Sequence, residues 1–130
     1  MKLLLDTCTF IWLVTGNRRL SQTARELFLN NDNRVYLSAV SAWEITLKQG
    51  KTGFPLPEGM DARGFVGEGR RRHGIESLPL NEEATFDVAR LPNLHADPFD
   101  RMLIAQAVAH QMAILTPDPH IHRYPVAVRW

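Results

Sequence analysis

Short apolar runs alternate with helical patterns along this chain, and this alternation limits the folds that it can adopt. The first run, KLLL, is continuously apolar, which is typical of a strand buried on both faces of a sheet. Helical segments separate most of the runs, so we expect right-handed crossovers and a mostly parallel sheet covered by helices on both faces. The five predicted strands are KLLL, RVYLS, GIESL, MAILT and YPVAVRW.

Start and stop signals delimit the predicted helices. Ser21 and Asn81 are typical N-terminal caps, whereas Gly16 and Gly50 are typical of helix ends. The segment from Gly50 to Gly59 is rich in glycine and proline, so we expect a loop there. The predicted helices are TFIWLVTG, SQTARELFLNN, SAVSAWEITLKQG, Ala62 to Arg72, NEEATFDVARLP and Pro98 to about His110.

Length and composition are those of an ordinary globular protein. The 130 residues are enough for a sizeable core, and we expect one domain over residues 1–130. Cys8 is the single cysteine, which excludes an internal disulfide and fits a reducing cytosol. The apolar run from Leu3 to Leu5 is too short for a signal peptide or a membrane span. We therefore expect a soluble cytoplasmic protein that does not bind a membrane.

Arginine dominates the basic residues, although the net charge is only +1. Arginine outnumbers lysine twelve to three, and Arg70, Arg71 and Arg72 are consecutive. The planar guanidinium suits the recognition of phosphate and carboxylate groups. A solvated helix face explains the triplet equally well, so both interpretations stay open.

Four acidic residues are expected at the carboxyl edge of the sheet, where parallel sheets form their functional sites. Asp6 and Asp118 each follow a predicted strand, whereas Glu44 and Asp100 lie near the N-terminal ends of predicted helices. Asp6 and Asp118 each have a structural explanation as well. Asp6 is a candidate N-cap, and Asp118 is a candidate turn residue between two prolines.

Glu44 has two interpretations that depend on where its helix begins. The pattern SAWE matches a capping box in which Ser41 and Glu44 satisfy each other's backbone donors. A helix that begins at Ser38 instead places Glu44 in the second turn, without a capping role. Its neighbours Val40, Trp43 and Leu47 then define the buried stripe.

The segment HADPFDRMLIAQA places two aspartates at the start of an apolar helix. Asp97 and Pro98 are the expected N-cap and first helical residue. Asp100 falls in the first turn, where the helix dipole stabilises an anion by about 0.3–1 kcal/mol. The following run MLIAQAVA indicates burial, and a carboxylate at the edge of a buried helix is costly unless a positive group meets it.

A divalent cation is the expected counter-charge for the four acids. Like charges on one edge repel by about 3 kcal/mol per pair at roughly 5 Å and an effective dielectric constant of about 20. No lysine follows Lys51, so we expect no lysine to neutralise them. Oxygen ligands select Mg²⁺, or Mn²⁺ as a substitute, over Zn²⁺. His120 and His122 would lie on one side of an extended segment and are candidate ligands of a softer metal, although two surface histidines are the commoner explanation.

Carboxylates that hold one or two magnesium ions are suited to phosphodiester cleavage. Thr7 and Thr116 are candidates to hydrogen-bond a ligating carboxylate, and Arg101 is a candidate phosphate contact, although an ion pair to a nearby acid is the simpler role. No glycine-rich phosphate loop is found. Aspartyl phosphotransfer of the haloacid-dehalogenase type needs a second acid where Cys8 stands, and receiver domains need a late lysine that this chain lacks.

Four motifs in this order resemble PIN-domain ribonucleases, specifically the VapC-like toxins of toxin–antitoxin pairs. They are LLLDTCTFIWLV, SAVSAWEITLKQGK, HADPFDRMLIAQA and ILTPDP, and together they span nearly the whole chain. The resemblance implies a three-layer α/β/α sandwich and a magnesium-dependent endoribonuclease. Its acidic site would be Asp6, Glu44, Asp100 and Asp118. Asp100 takes the third place because it stands five residues before the small Ala105, and Asp97 ranks below it as a ligand.

The same resemblance implies partners and leaves alternatives open. It implies a homodimer, a cognate VapB-like antitoxin and a structured RNA substrate, with Arg70, Arg71, Arg72 and Arg101 as candidate RNA contacts. A non-catalytic module that binds protein or RNA is the main alternative, because nucleic-acid binders usually show a basic face and the net charge here is near neutral. A magnesium phosphatase acting on small molecules is a weaker one.

Overall fold

Five parallel strands form one sheet in the computed structural model of the chain, which describes residues 1–54 and 56–130. The strand order is β3-β2-β1-β4-β5, so β1 lies at the centre and pairs in parallel with both β2 and β4. The predicted α/β fold with a parallel sheet is confirmed. The strands are β1 (Lys2–Leu5), β2 (Arg34–Ser38), β3 (Glu76–Leu78), β4 (Ala113–Leu115) and β5 (Val128–Arg129).

Seven α-helices and one 3₁₀ turn, Val88–Arg90, are found in the described residues. Six of the helices were predicted, and α7 was not. The predicted loop from Gly50 to Gly59 has no helix or strand over its described residues, and Pro55 lies outside them. The helices are α1 (Thr7–Thr15), α2 (Gln22–Leu29), α3 (Ala39–Lys48), α4 (Ala62–His73), α5 (Glu82–Asp87), α6 (Pro98–His110) and α7 (Pro119–His122).

The sheet separates two apolar cores. Leu3 and Leu5 of β1 belong to one core and Leu4 to the other, because successive side chains of a strand point to opposite faces. All three leucines are fully buried, as the continuous apolar run predicts. Each such side chain stabilises the fold by about 1.5–3 kcal/mol relative to its exposed state. The central strand is therefore held from both sides up to the residue that precedes Asp6.

Helix α3 begins at the earlier of the two predicted positions. Ser38 is its N-cap, with Oγ accepting from the backbone N–H of Val40 at 2.9 Å, so Glu44 has no capping role. The predicted stripe is correct for Val40 but wrong for Trp43 and Leu47, which are 54% and 50% exposed. The buried face instead pairs Val40 with Glu44 and Ser41 with Ile45, one turn apart. A carboxylate therefore occupies a place that the pattern assigned to an apolar side chain.

The packing of α4 against α1 depends on a glycine. An added Cβ at Gly69 of α4 would lie 2.7 Å from Cζ of Phe10 in α1, so the glycine allows these two helices to approach closely. Within the described part of the chain, no helix is both long and apolar enough to cross a membrane.

Candidate active site

Asp6 stands at the carboxyl end of the central strand and caps α1. Its Oδ1 accepts a hydrogen bond from the backbone N–H of Thr9 at 2.8 Å, and its Oδ2 accepts one from the hydroxyl of Thr116. The residue is only 6% exposed. Burial raises the pKa of the Asp6 carboxyl, and the charge of Asp118 raises it further, although both hydrogen bonds oppose this change. The predicted capping role is confirmed, and no ion pair with Asp6 is found among the described residues.

Glu44 is buried on α3 and faces α1. Its Oε1 accepts a hydrogen bond from the hydroxyl of Thr7 at 2.6 Å, and Nζ of Lys48 lies 2.5 Å from its Oε2. The expectation that no lysine neutralises the acids is therefore wrong. Lys48 precedes Lys51 and stands one helical turn after Glu44, a spacing that favours an ion pair.

Asp100 lies in the first turn of α6, and its side chain is 18% exposed. Its Oδ2 lies 3.1 Å from Nε2 of His95. Burial raises the pKa of Asp100 to about 6, and the charges of Asp97 and Asp118 contribute, while the hydrogen bond with His95 lowers it. Asp97 itself is exposed and accepts from the backbone N–H groups of Phe99 and Asp100 at 2.9 and 3.1 Å, which confirms its predicted role as N-cap.

Asp118 caps the short helix α7. Its Oδ1 accepts from the backbone N–H of His120 at 2.8 Å, so the predicted turn residue is in fact a helix cap. His120 and His122 are consequently not on one side of an extended segment, because two residues of a helix are separated by about 200°. The ring of His120 stacks on His95, and Nε2 of His122 lies 2.8 Å from the carbonyl oxygen of Thr116. Both histidines are exposed, as the commoner of the two explanations expects, and they do not form the candidate pair.

The charges of the four acids act on common neighbours. Asp118 raises the pKa of both Asp6 and Asp100. The Cys8 thiol has its pKa raised to about 11, first by burial and then by the charges of Asp6, Glu44 and Asp100, against the lowering effect of Lys48. Residues that are 112 positions apart along the chain thus share one electrostatic environment at the carboxyl edge of the sheet.

Comparison with known families identifies the domain. The PIN domain model matches residues 3–127, which is almost the whole chain. This chain belongs to the PIN-domain family. Comparison with curated proteins gives no match.

Solved structures share this PIN fold at low sequence identity. VapBC2 from Rickettsia felis, bound to a DNA fragment from its promoter, matches with a TM-score of 0.73 and 15% identity over 100% of this chain and 99% of that one. DNA-bound VapBC from Salmonella typhimurium matches with a TM-score of 0.69 and 18% identity over 99% and 97%. VapBC-5 from Mycobacterium tuberculosis matches with a TM-score of 0.58 and 18% identity over 98% and 95%.

The acids of this PIN domain fit a hard cation by their chemistry, but they are not arranged as a finished ligand set. All four offer carboxylate oxygens, the ligands that Mg²⁺ prefers, and burial raises the pKa of two of them. No group of three histidine, cysteine, aspartate or glutamate side chains among the described residues is placed to hold a metal ion. Internal donors already engage Oδ2 of Asp6, Oε2 of Glu44 and Oδ2 of Asp100. A cation would therefore bind an oxygen that receives no hydrogen bond among the described residues, such as Oδ1 of Asp100, or the second lone pair of an oxygen that does.

The candidate RNA-contact arginines mostly bind the protein itself. Arg101 donates to the carbonyl oxygen of Pro92 at 2.8 Å and to the hydroxyl of Tyr124 at 2.9 Å. Arg70 donates to the carbonyl oxygen of Leu37 at 3.0 Å, and Arg71 pairs with Glu68 at 2.6 Å. Within the described residues, no hydrogen bond joins these arginines to the four acids. Arg72 is exposed at the end of α4.

Sequence reasoning missed three residues of the site: Lys48, His95 and Tyr124. The signal for Lys48 was its position four residues after Glu44. His95 is the first residue of the motif HADPFDRMLIAQA, but the motif indicated no role for it. Tyr124 gave no sequence signal, because the fold alone brings it to His95, 29 positions away.

Proposed function

We propose that this PIN domain is a magnesium-dependent endoribonuclease that acts as the toxin of a toxin–antitoxin pair. The observation that carries the proposal is the shared electrostatic environment of the four acids: Asp6, Glu44 and Asp100 act on the Cys8 thiol, and Asp118 acts on Asp6 and Asp100, whose pKa values are raised. Such a cluster favours a divalent cation, since a cation compensates carboxylates whose charged forms are disfavoured first by burial and then by each other's charge.

The acids are the proposed ligands of the cation, and two threonines orient the acids. Asp6 and Asp100 would be the strongest ligands, with Mn²⁺ as a substitute for Mg²⁺, and Glu44 and Asp118 would complete the site or orient water. A bound Mg²⁺ ion supplies a water of lowered pKa and a counter-charge for the leaving oxygen of a phosphodiester. Thr116 and Thr7 donate to Asp6 and Glu44 and so fix the orientation of these carboxylates.

The proposed partners follow from the proteins that share the fold. The similar solved structures include VapBC toxin–antitoxin complexes, two of them with DNA, so a VapB-like antitoxin is the proposed partner of this chain. We also propose a homodimer and a structured RNA substrate.

Asp6→Asn tests the proposed function. Asparagine keeps an oxygen that accepts from Thr9 N–H but removes the charge that a cation needs, so we expect folding to persist and Mg²⁺-dependent RNA cleavage and growth arrest to be lost. Asp32→Asn is the matched control, because Asp32 is an exposed aspartate outside the site. Cleavage assays with and without EDTA, together with circular dichroism, measure both. An active, toxic Asp6→Asn protein would refute the assignment.

A non-catalytic module is the second candidate function. It is favoured by the internal hydrogen bonds that already engage an oxygen of Asp6, of Glu44 and of Asp100. Calorimetric titration with Mg²⁺ separates the two candidates. Binding together with EDTA-sensitive cleavage supports the nuclease, whereas RNA binding without Mg²⁺ binding or cleavage supports the module.

A further inference from the structure

His95 bridges Asp100 and a buried tyrosine. Its Nε2 lies 3.1 Å from Oδ2 of Asp100, and its Nδ1 lies 2.8 Å from the hydroxyl of Tyr124. Tyr124 is only 4% exposed, and the His95 side chain is 11% exposed. The imidazole therefore has both nitrogens engaged, in a place that is largely closed to water.

Arg101 sets the direction of this chain of hydrogen bonds. Its guanidinium only donates, and its Nη1 lies 2.9 Å from the Tyr124 hydroxyl, so the tyrosine oxygen accepts that bond. Tyr124 then has one proton to donate. Among the hydrogen bonds of the described residues, its only other partner is Nδ1 of His95. In the arrangement that satisfies all of these groups, Arg101 donates to Tyr124, Tyr124 donates to His95, and His95 donates to Asp100.

The opposite arrangement leaves polar groups unsatisfied. A proton on Nδ1 of His95 would donate to Tyr124, and the tyrosine proton would then lack an acceptor among the described residues. Without a proton on Nε2, a nitrogen lone pair would face the carboxylate oxygen of Asp100 at 3.1 Å. Both defects are costly at buried positions.

We propose that His95 is a positioning residue for Asp100, with its Nε2–H tautomer selected by Tyr124 and Arg101. The N–H holds Oδ2 and leaves Oδ1, which receives no hydrogen bond within the described residues, directed to the cation. The role of Oδ1 depends on the proposed magnesium site, whereas the tautomer does not. Residues of this kind fix the orientation of a ligand and typically change metal affinity by 10–100-fold.

Further hydrogen bonds to backbone carbonyl oxygens hold the Arg101 guanidinium in place. Its Nη1 also donates to the carbonyl oxygen of Pro92, and its Nη2 to that of Val88 at 3.3 Å. Arg101 follows Asp100 in α6, so the first and last residues of this series of hydrogen bonds lie in the same helical turn. Arg101 thus acts on Asp100 through Tyr124 and His95, and its assignment as a phosphate contact is not needed to explain it.

Nitrogen-15 NMR of the histidine rings tests the tautomer without metal or RNA. In the 130-residue chain with EDTA, we expect His95 to show a protonated Nε2 and an unprotonated Nδ1. Tyr124→Phe removes the donor and keeps the ring, so the His95 signals should shift towards a mixture of tautomers while those of His110 stay unchanged. A wild-type His95 with a protonated Nδ1, or an unchanged pattern in Tyr124→Phe, would overturn the proposal.

Manganese binding tests the positioning. We expect His95→Ala to weaken Mn²⁺ binding by about 10–100-fold and His95→Gln, which retains an N–H near the same place, to recover most of it. His110→Ala, at the other end of α6, is the control and should bind as the wild type does. Equal affinity of wild type and His95→Ala would overturn the positioning role. A wild type that binds no Mn²⁺ would instead overturn the proposed magnesium site, and the NMR result would still decide the tautomer.

Discussion

Nζ of Lys48 lies 2.5 Å from Oε2 of Glu44, so one acid of the candidate site already forms an ion pair with a lysine. Lys48→Met should therefore change the response to Mg²⁺. Without this ion pair, Glu44 is buried and uncompensated, so the metal-free variant should be less stable by about 0.5–1 kcal/mol. Because Lys48 no longer competes for Glu44, Mg²⁺ should raise the melting temperature more than it does in the wild type. Lys51→Met is the control, and equal shifts in wild type and Lys48→Met would show that Glu44 does not contact the cation.

Asp100→Asn should stabilise the metal-free protein above pH 6. The pKa of Asp100 is raised from 3.8 to about 6 in the folded state, so the folded state binds this proton more tightly than the unfolded state. Its contribution to stability is complete below pH 3.8 and is lost as the pH rises through 6. Melting curves in EDTA from pH 4 to 7 measure this loss, which should be smaller in Asp100→Asn than in Asp32→Asn. The idea fails if the two variants give parallel pH profiles.

Cys8 should resist alkylation at ordinary pH. Its pKa of about 11, against the usual 9.0, lowers the thiolate fraction about 100-fold at pH 8. The rate of reaction with iodoacetamide should rise tenfold per pH unit until about pH 11. A cation that offsets Asp6, Glu44 and Asp100 should lower this pKa, so Mg²⁺ should speed alkylation of the folded protein. The guanidinium-unfolded protein provides the reference rate, and a folded rate equal to it would contradict the prediction.

Asp97 should matter to stability rather than to cleavage. Asp97→Ala removes the acceptor for two backbone N–H groups of α6 and should cost about 1 kcal/mol of unfolding free energy. Asp97→Ser keeps a capping oxygen and should recover most of it. Denaturant unfolding and RNA cleavage are measured on both variants. Loss of cleavage in a stable Asp97→Ser protein would make Asp97 a metal ligand.

The sequence predicted most strands and helices well, because local patterns specify them, but the predicted terminal strand YPVAVRW is a strand only over Val128–Arg129. The continuous run from Leu3 to Leu5 is fully buried, and the caps at Ser21, Asn81 and Asp97 start helices as expected. The short helix α7 was missed, because a four-residue helix has no periodicity to recognise and the two prolines favoured a turn. Asp118 consequently received the wrong structural role.

The side-chain partners of the acids were harder to predict than the acids. The alternation of strands and helices places Asp6 and Asp118 at the same edge, but it does not show that Thr116 donates to Asp6 over 110 positions. Trp43 was assigned to the core because apolar spacing does not reveal which face of α3 meets the sheet. Its ring instead packs edge-on against Phe99 near the surface, with centroids 5.0 Å apart.

The position of β1 between two neighbours gives the acidic cluster an uneven resistance to local opening. Asp6 follows a strand that is hydrogen-bonded on both sides, whereas Asp118 follows β4, whose outer neighbour β5 is only two residues long. Amide protons of β1 should exchange with solvent only when the whole molecule unfolds, while fraying of β5 and α7 would release Asp118 first. Local unfolding would therefore separate Asp118 from the other acids first, and Asp6 would keep its position the longest.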